Sequence, residues 1–341
     1  MRPTFRRMRP HRAPPPSATG QVGKMPKRMR ARVAMADYSR DYCITYGKHE
    51  SCRIDFRCFD TPNSITVYGP LTRTCSAEEL LLAGRGYCLE LHGLWSFTDA
   101  RSDVSRLNAA TDRVRVDERT ASLVRGMKAF HEREALFDFT IGPASYAWKH
   151  AERVPDARQI AAALAHVGAE RVRVDGSFVV KDDPCAQIDV GGAAKGFAAD
   201  AVADLLRAKG VACADIDLGG NLFLLGQHPE GRPWRISVKI PDGVVHDPII
   251  LEVRDCAVVT SGSYERFVEI DGVRYQHIVD PATGWPVESD VVSATVVGPS
   301  ALQADMLATT AVMVGASGLQ ALEARHPGYA FTCICESGTT P

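Results

Sequence analysis

Apolar and polar residues alternate in short runs along much of this chain, and most runs close on a turn signal. Residues 65–68 (Ile-Thr-Val-Tyr) make one such run, and period-two alternation marks a half-buried strand. Residues 171–174 and 178–181 flank Asp175-Gly176, and residues 266–270 and 273–277 flank Asp271-Gly272. An Asp-Gly step between alternating runs predicts a hairpin, because both central residues take positive φ. Further strands are expected at 186–190, 213–218, 222–226, 234–240, 249–254, 256–260, 291–297 and 329–335.

Helical periodicity takes over elsewhere. Ser76 and Glu79 form a capping box ahead of an apolar-periodic stretch that runs to about Trp95. Helices are also expected at 119–134, at 155–167, from 194 to about 209 with Gly210 as its C′ residue, at 300–314 behind a Ser300 cap, and at 317–325. Strands outnumber helices and often come as hairpins. This predicts an α+β fold with mixed, mainly antiparallel sheets and packed helices.

Charge divides the chain unevenly. The formal net charge is −1, yet residues 1–34 hold ten Lys or Arg and no acid. The remainder carries 30 basic and 41 acidic residues, a net of −11. An acidic body gives no reason to expect nucleic-acid binding. The basic, proline-rich segment 1–34 has little to bury and is expected to be disordered. Arg6-Arg7 is followed by no apolar h-region of ~7–15 residues, so no signal peptide is expected. Met25, Met29 and Met35 offer alternative starts. A cytoplasmic location is expected, with an extracytoplasmic one left open. No apolar run approaches the ~20 residues of a membrane span. Residues 35–54 read as an N-terminal extension and 55–338 as a single catalytic unit. The ten cysteines show no C-x-x-C and no zinc spacing. Reduced thiols are expected, with Cys185, Cys213 and Cys256 as small core residues.

Chemistry concentrates in 260–286. Thr260, Ser261 and Ser263 put hydroxyls on what reads as a turn loosened by Gly262. The second hairpin run ends on His277 and enters Asp280-Pro281-Ala282-Thr283-Gly284, a loop shaped by proline and glycine. A histidine at a strand end beside hydroxyls and a carboxylate suits a general base; a plain hairpin with a polar end is the alternative. Upstream, an expected strand delivers Asp189 into Gly191-Gly192, and a helix opens near Ala194 with Lys195 in its first turn. A helix N-terminus behind a Gly-Gly turn is an anion site. Asp305 and Thr309 are four apart and share one helix face. A carboxylate and a hydroxyl near backbone carbonyls form a hard-oxygen set suited to Mg²⁺. Helix-dipole complementation by Asp305 is the bland alternative.

Together, Asp189 to Gly196, Leu218-Gly219-Gly220-Asn221, the 260–286 stretch and Ala304 to Thr309 resemble, in order, the motifs of the FAD:protein FMN transferases, the ApbE-like flavin transferases. The resemblance covers roughly residues 55–335. It implies one compact catalytic unit with a flavin cleft between two lobes, and Mg²⁺ held by Asp305, Thr309 and the Gly192 carbonyl. It further implies nucleotide contacts from Asp189, Lys195, Thr260, Ser261, Gly262 and Ile278. Phe59 stands where the family carries the first residue of an M-G-T segment, a departure from the pattern. Phe137 and Asp138 match an F-D-x-T-x-G-P run and are expected flavin contacts. Ser102, Ser105 and Asn108 match a turn near the adenosine end. An aspartate between Phe137 and Phe139 invites a ligand, since an unpaired buried carboxylate is costly.

The implied reaction is attack by a threonine or serine hydroxyl of an acceptor protein on the FMN-side phosphorus of FAD, with AMP leaving. His277 is the candidate base, and Asp280 orients it or the loop. The acceptor would be a flavoprotein or redox subunit. A Mg²⁺-dependent FAD pyrophosphatase and a non-catalytic flavin-binding protein are the competing readings.

Overall fold

The structure, a computed structural model, describes residues 41–69, 75–241, 244, 247–264, 266–336 and 338–340. The expectations for segment 1–34 lie outside them. In chain order the elements are β1 (Tyr42–Tyr46), β2 (Cys52–Cys58), β3 (Thr61–Val67), α1 (Ala77–Trp95), α2 (Asp103–Ala109), β4 (Arg113–Arg115), α3 (Glu118–His131), α4 (Gly142–Lys149), α5 (Ala157–Leu164), β5 (Val172–Asp175), β6 (Phe178–Lys181), α6 (Ala194–Ala208), β7 (Ala214–Leu218), β8 (Asn221–Leu225), β9 (Trp234–Ser237), β10 (Ile250–Val253), β11 (Cys256–Gly262), β12 (Phe267–Ile270), β13 (Val273–Gln276), β14 (Val291–Gly298), α7 (Ala301–Arg325), β15 (Ala330–Cys335) and β16 (Gly338–Thr340).

Nine strands form one sheet in the order β1-β2-β3-β7-β8-β11-β14-β15-β16. Each neighbouring pair in it is antiparallel. Strand alternation therefore sends successive side chains to opposite faces. In β11, Ala257 and Val259 enter the large core, where they meet residues of α1, α6 and α7. Val258 points the other way, into a smaller cluster with Trp234, Val238, Leu251 and Val253 of the β9–β10 region. Helices cover one face of the sheet and a hairpin the other. Fully burying a side chain such as Leu206, Ile216 or Leu307 contributes roughly 1.5–3 kcal/mol. The hairpin β12–β13 packs separately on α4 and α5 through Ile270, Val268, Tyr275, Trp148 and Ile160.

Local signals account for many elements. The Ser76 hydroxyl accepts from Glu79 N, and the Glu79 carboxylate accepts from Ser76 N at 2.8 Å, so the capping box closes. In β12–β13, Asp271 (φ 52°) and Gly272 (φ 81°) form the two-residue turn. In β5–β6 the turn falls one residue later, on Gly176-Ser177, because Asp175 pairs with Phe178. The two helical segments after Ser300 are the halves of α7, parted at Gly315 (φ 64°, ψ 179°). Asp290 caps the break by accepting from Ala316 N at 3.0 Å.

Within the span 35–54 read as an N-terminal extension, β1 and the start of β2 lie at one edge of the main sheet, beside β3. Other expectations are corrected. The strand expected at 186–190 reduces to one parallel bridge, Ile141 to Gln187. Thr260, Ser261 and Gly262 do not form a turn. They continue β11, paired with Thr295, Ala294 and Ser293, because β14 runs alongside for the full length. Cys185 is exposed and Cys213 and Cys256 are half-buried, whereas Cys52, Cys58, Cys88, Cys333 and Cys335 fill the core; none of the ten cysteines is in a disulfide. No helix among the described residues is long and apolar enough to cross a membrane.

Candidate active site

Helices α6 and α7 cross where Gly196 meets Ala301. Gly196 N donates to Asp305 Oδ2 at 3.1 Å, which fixes a carboxylate that is only 3 % exposed. Its other oxygen makes no hydrogen bond among the described residues. One turn further along α7, Thr309 Oγ1 donates to the Asp305 carbonyl at 3.2 Å and lies 3.4 Å from Ser261 Oγ. A Cβ added to Gly192 would stand 3.5 Å from the same Thr309 oxygen and 3.0 Å from the Phe137 ring. The structure thus brings together Gly192, Ser261, Asp305, Thr309 and Phe137 from four separate segments.

Asp305, Thr309 and Ser261 offer oxygen donors alone, with one open carboxylate oxygen. That donor set fits a hard divalent cation such as Mg²⁺ and would suit a soft metal poorly.

The segment 189–193 leads into α6 as a set of local bonds. Asp189 N donates to the Phe139 carbonyl at 2.7 Å, and Asp189 Oδ1 accepts from Gly191 N at 2.7 Å. The N-cap of α6, Ala193, supplies no side-chain cap, but Ala194 N donates to the Val190 carbonyl at 2.8 Å and Gly196 N to Asp305, so Lys195 N is the first-turn N–H left open to an anion. Lys195 adds a full positive charge in that turn.

His277 sits at the end of β13. Its backbone N donates to the Arg266 carbonyl at 3.2 Å, and its Nδ1 lies 3.0 Å from the same oxygen. A carbonyl only accepts, so Nδ1 carries the proton, and Nε2 of the neutral ring keeps its lone pair. The residue is exposed, yet desolvation by surrounding protein is the largest influence on it and lowers its pKa below the usual 6.5. The Arg266 bond pulls in the opposite direction, and the charges of Asp189 and Lys195 act on the ring with opposite signs. Both charges therefore lie within electrostatic reach of the His277 ring.

The remaining expected residues take varied places. Asp280 is used within its own loop: its Oδ1 accepts from Ala282 N at 2.8 Å and its carbonyl from Gly284 N at 2.7 Å. It makes no hydrogen bond to His277, which the Arg266 carbonyl orients instead. Ile278 is buried in the large core. Asp138 is not unpaired. Its Oδ1 accepts from Thr140 N and Oγ1 at 2.7 and 2.6 Å, and its Oδ2 from Ala169 N at 3.2 Å. Those bonds satisfy the carboxylate without a ligand. Phe137 packs edge-to-face on Phe130 at 5.4 Å. Phe59 stands with Asp60 in the β2–β3 turn, both at positive φ (51° and 59°). Positive φ strains a non-glycine residue. Asn63 secures the turn by donating to the Cys58 carbonyl at 2.9 Å, and the Phe59 ring stacks on Trp95 at 6.4 Å. Asn108 binds the Ile188 backbone through both amide atoms, at 3.0 and 2.7 Å, and so supports the chain entering Asp189.

Thr260 and Ser261 face opposite sides of the sheet. Thr260 Oγ1 lies 2.8 Å from Thr295 Oγ1. It lines a concavity of about 150 Å³ on the reverse face, with Asp217, Ser237, Lys239 and Tyr264. Only Ser261 shares a face with Thr309.

Two structural contributors escaped sequence reasoning. Gly196 closes the Asp189 to Gly196 motif with nothing in its residue type to mark a role, and Asp200 lies outside every motif. Asp200 accepts from Ser300 Oγ, Ala301 N and Leu302 N at 2.7, 2.6 and 3.0 Å, capping α7 from α6. No local pattern announces a cap supplied from 100 residues away.

Comparison with known proteins agrees with this geometry. The chain is 35 % identical over 224 residues to the FAD:protein FMN transferase of Vibrio cholerae, covering 63 % of this chain and 67 % of that protein. It is 44 % identical over 151 residues to the FAD:protein FMN transferase of Treponema pallidum, 42 % of each; the match thus spans less than half of that relative. Among solved structures, the flavin transferase ApbE from Vibrio cholerae superposes with a TM-score of 0.77 at 28 % identity, over 85 % of this chain and 96 % of that one. The ApbE protein from Thermotoga maritima superposes with a TM-score of 0.75 at 30 % identity, over 88 % and 96 %. The model of the ApbE family matches residues 59–332, most of the described structure, and the chain belongs to that family.

Proposed function

We propose that this chain is a Mg²⁺-dependent FAD:protein FMN transferase. It would move FMN from FAD to a threonine or serine hydroxyl of an acceptor flavoprotein or redox subunit, with release of AMP. The observation that carries the reading is the His277 tautomer. A neutral imidazole with Nδ1 tied to the Arg266 carbonyl presents Nε2 as a base, within electrostatic reach of Asp189 and Lys195.

Asp305, Thr309 and the Gly192 carbonyl would hold Mg²⁺, which when bound neutralises charge on the phosphate oxygens. Lys195, through its ammonium and its open backbone N–H in the first turn of α6, would hold the pyrophosphate. Asp189 shapes the turn in front of that helix, and Phe137, packed against Gly192, would form an apolar wall for the flavin. Ser261 adds a hydroxyl on the same side as Thr309. The acceptor hydroxyl oxygen bonds to the FMN-side phosphorus, and the P–O bond to AMP breaks. AMP takes the electron pair, and the hydroxyl proton goes to His277 Nε2. A threonine hydroxyl is a weak nucleophile near neutral pH, so this base is needed.

The test is incubation with FAD, Mg²⁺ and a peptide bearing an acceptor threonine, read by intact mass and by AMP release. Peptide gaining FMN with stoichiometric AMP is the expected result. AMP at the same rate without peptide labelling would make the chain a pyrophosphatase. FAD retained with no AMP would make it a binding protein.

A further inference from the structure

Asn221 opens β8 directly after the Gly219-Gly220 turn, and it is 1 % exposed. Its Nδ2 has no hydrogen-bond partner among the described residues. A buried donor left unpaired costs about 1–3 kcal/mol, and folded chains keep few. Strand register fixes the direction of the side chain. Asn221 pairs with Val259 on one side and with Leu218 on the other. Both belong to the core shared with α6 and α7, and directly opposed residues share a face. Ser261 is two residues along β11 from Val259 and so lies on that same face, with Thr309 at 3.4 Å. The amide is therefore part of the sheet floor beside the oxygen-donor set. Its approach is rigid, since a Cβ on Gly219 would stand only 2.6 Å from Thr61 Oγ1.

We propose that Asn221 Nδ2 donates a hydrogen bond to a phosphate oxygen of the bound substrate. The identity of that substrate as FAD rests on the transferase reading; the phosphate chemistry does not. Asp305 is an acceptor, and the Ser261 and Thr309 hydroxyls serve either role, so the floor otherwise lacks a committed donor. An amide adds one without a charge and without a pKa in the working range. Turning the amide over would bury an unpaired carbonyl in place of the donor, and an anionic oxygen selects the donor orientation.

The experiment measures binding of FAD and, separately, of inorganic pyrophosphate with Mg²⁺, alongside the melting temperature, in the wild-type chain, Asn221→Leu and Asn221→Asp. In Asn221→Leu the Kd for both ligands should rise about tenfold or more, while the melting temperature holds or increases, because an unpaired donor has been removed. Asn221→Asp should bind more weakly still, and its deficit should shrink as pH falls and the carboxylate protonates. Unchanged Kd for both ligands in Asn221→Leu overturns the proposal, as does a drop in melting temperature with Kd intact. Should Asn221→Leu fail to fold, Asn221→Ser decides by the same titrations, with unchanged Kd again overturning it. A wild-type chain that binds pyrophosphate through Asn221 yet transfers no FMN would refute the transferase reading and leave this one standing.

Discussion

A Cβ placed on Gly196 would lie 2.4 Å from the carbonyl oxygen of Ala301, so α6 and α7 touch backbone to backbone at that point. The contact brings Gly196 N to Asp305 Oδ2. Gly196→Ala should therefore push the helices apart and move Asp305 away from Gly192. Overpacking of this kind costs about 1–3 kcal/mol. A lowered melting temperature with a weakened Mg²⁺ response is the expected outcome; a variant with both unchanged would contradict the close crossing.

Asp305→Asn keeps an acceptor for Gly196 N and removes the negative charge. The fold should persist while the Mg²⁺ concentration for half-maximal transfer rises at least tenfold. Titration of Mg²⁺ with the purified variant checks this, and an unshifted midpoint would remove Asp305 from the cation site.

His277→Ala should leave FAD affinity nearly unchanged and slow transfer roughly 10²–10⁴-fold, the range for a lost general base. Desolvation lowers the pKa of this ring. The base form therefore persists to lower pH than for an ordinary histidine, and the acid limb of wild-type transfer should fall below pH 6.5. A limb at or above that value would contradict the neutral, partly desolvated ring.

Asp138→Ala should act mainly on stability. It strands the Thr140 and Ala169 donors, and charge-assisted bonds of this kind contribute about 1.5–3 kcal/mol each. Denaturant unfolding should show a loss of about 3 kcal/mol. A normal unfolding midpoint with abolished FAD binding would return Asp138 to the role of a direct flavin contact.

Much of the fold was legible wherever the deciding forces are local. The Ser76 capping box and the Asp271-Gly272 turn each depend on residues within a few positions. The break at Gly315 showed as a gap between two helical patterns. Other elements were not legible, because distant partners decide them. Thr260 to Gly262 carries turn-like residues and is a strand because β14 pairs with it. Asp138 looked like a carboxylate in need of a ligand, and its second partner lies 31 residues away at Ala169. The edge strand β1 has little apolar periodicity, its side chains being largely exposed. Helix α4 was missed because Gly142-Pro143 reads as a breaker, whereas proline is tolerated in a first turn. In the candidate site, Asp305 and Thr309 could be paired from their spacing alone. That Ser261 joins them and Thr260 does not follows from the parity of β11, which only the register reveals.

That parity gives the strand an arithmetic of its own. Deleting one residue between Cys256 and Thr260 would exchange the two sides and point Ser261 away from Thr309, whatever its effect on stability. Deleting two would restore the sides and only shorten the strand. Length variation in this part of the chain is thus constrained to even steps, while the Arg254-Asp255 corner ahead of β11 can lengthen or shorten by any count without turning Ser261 over.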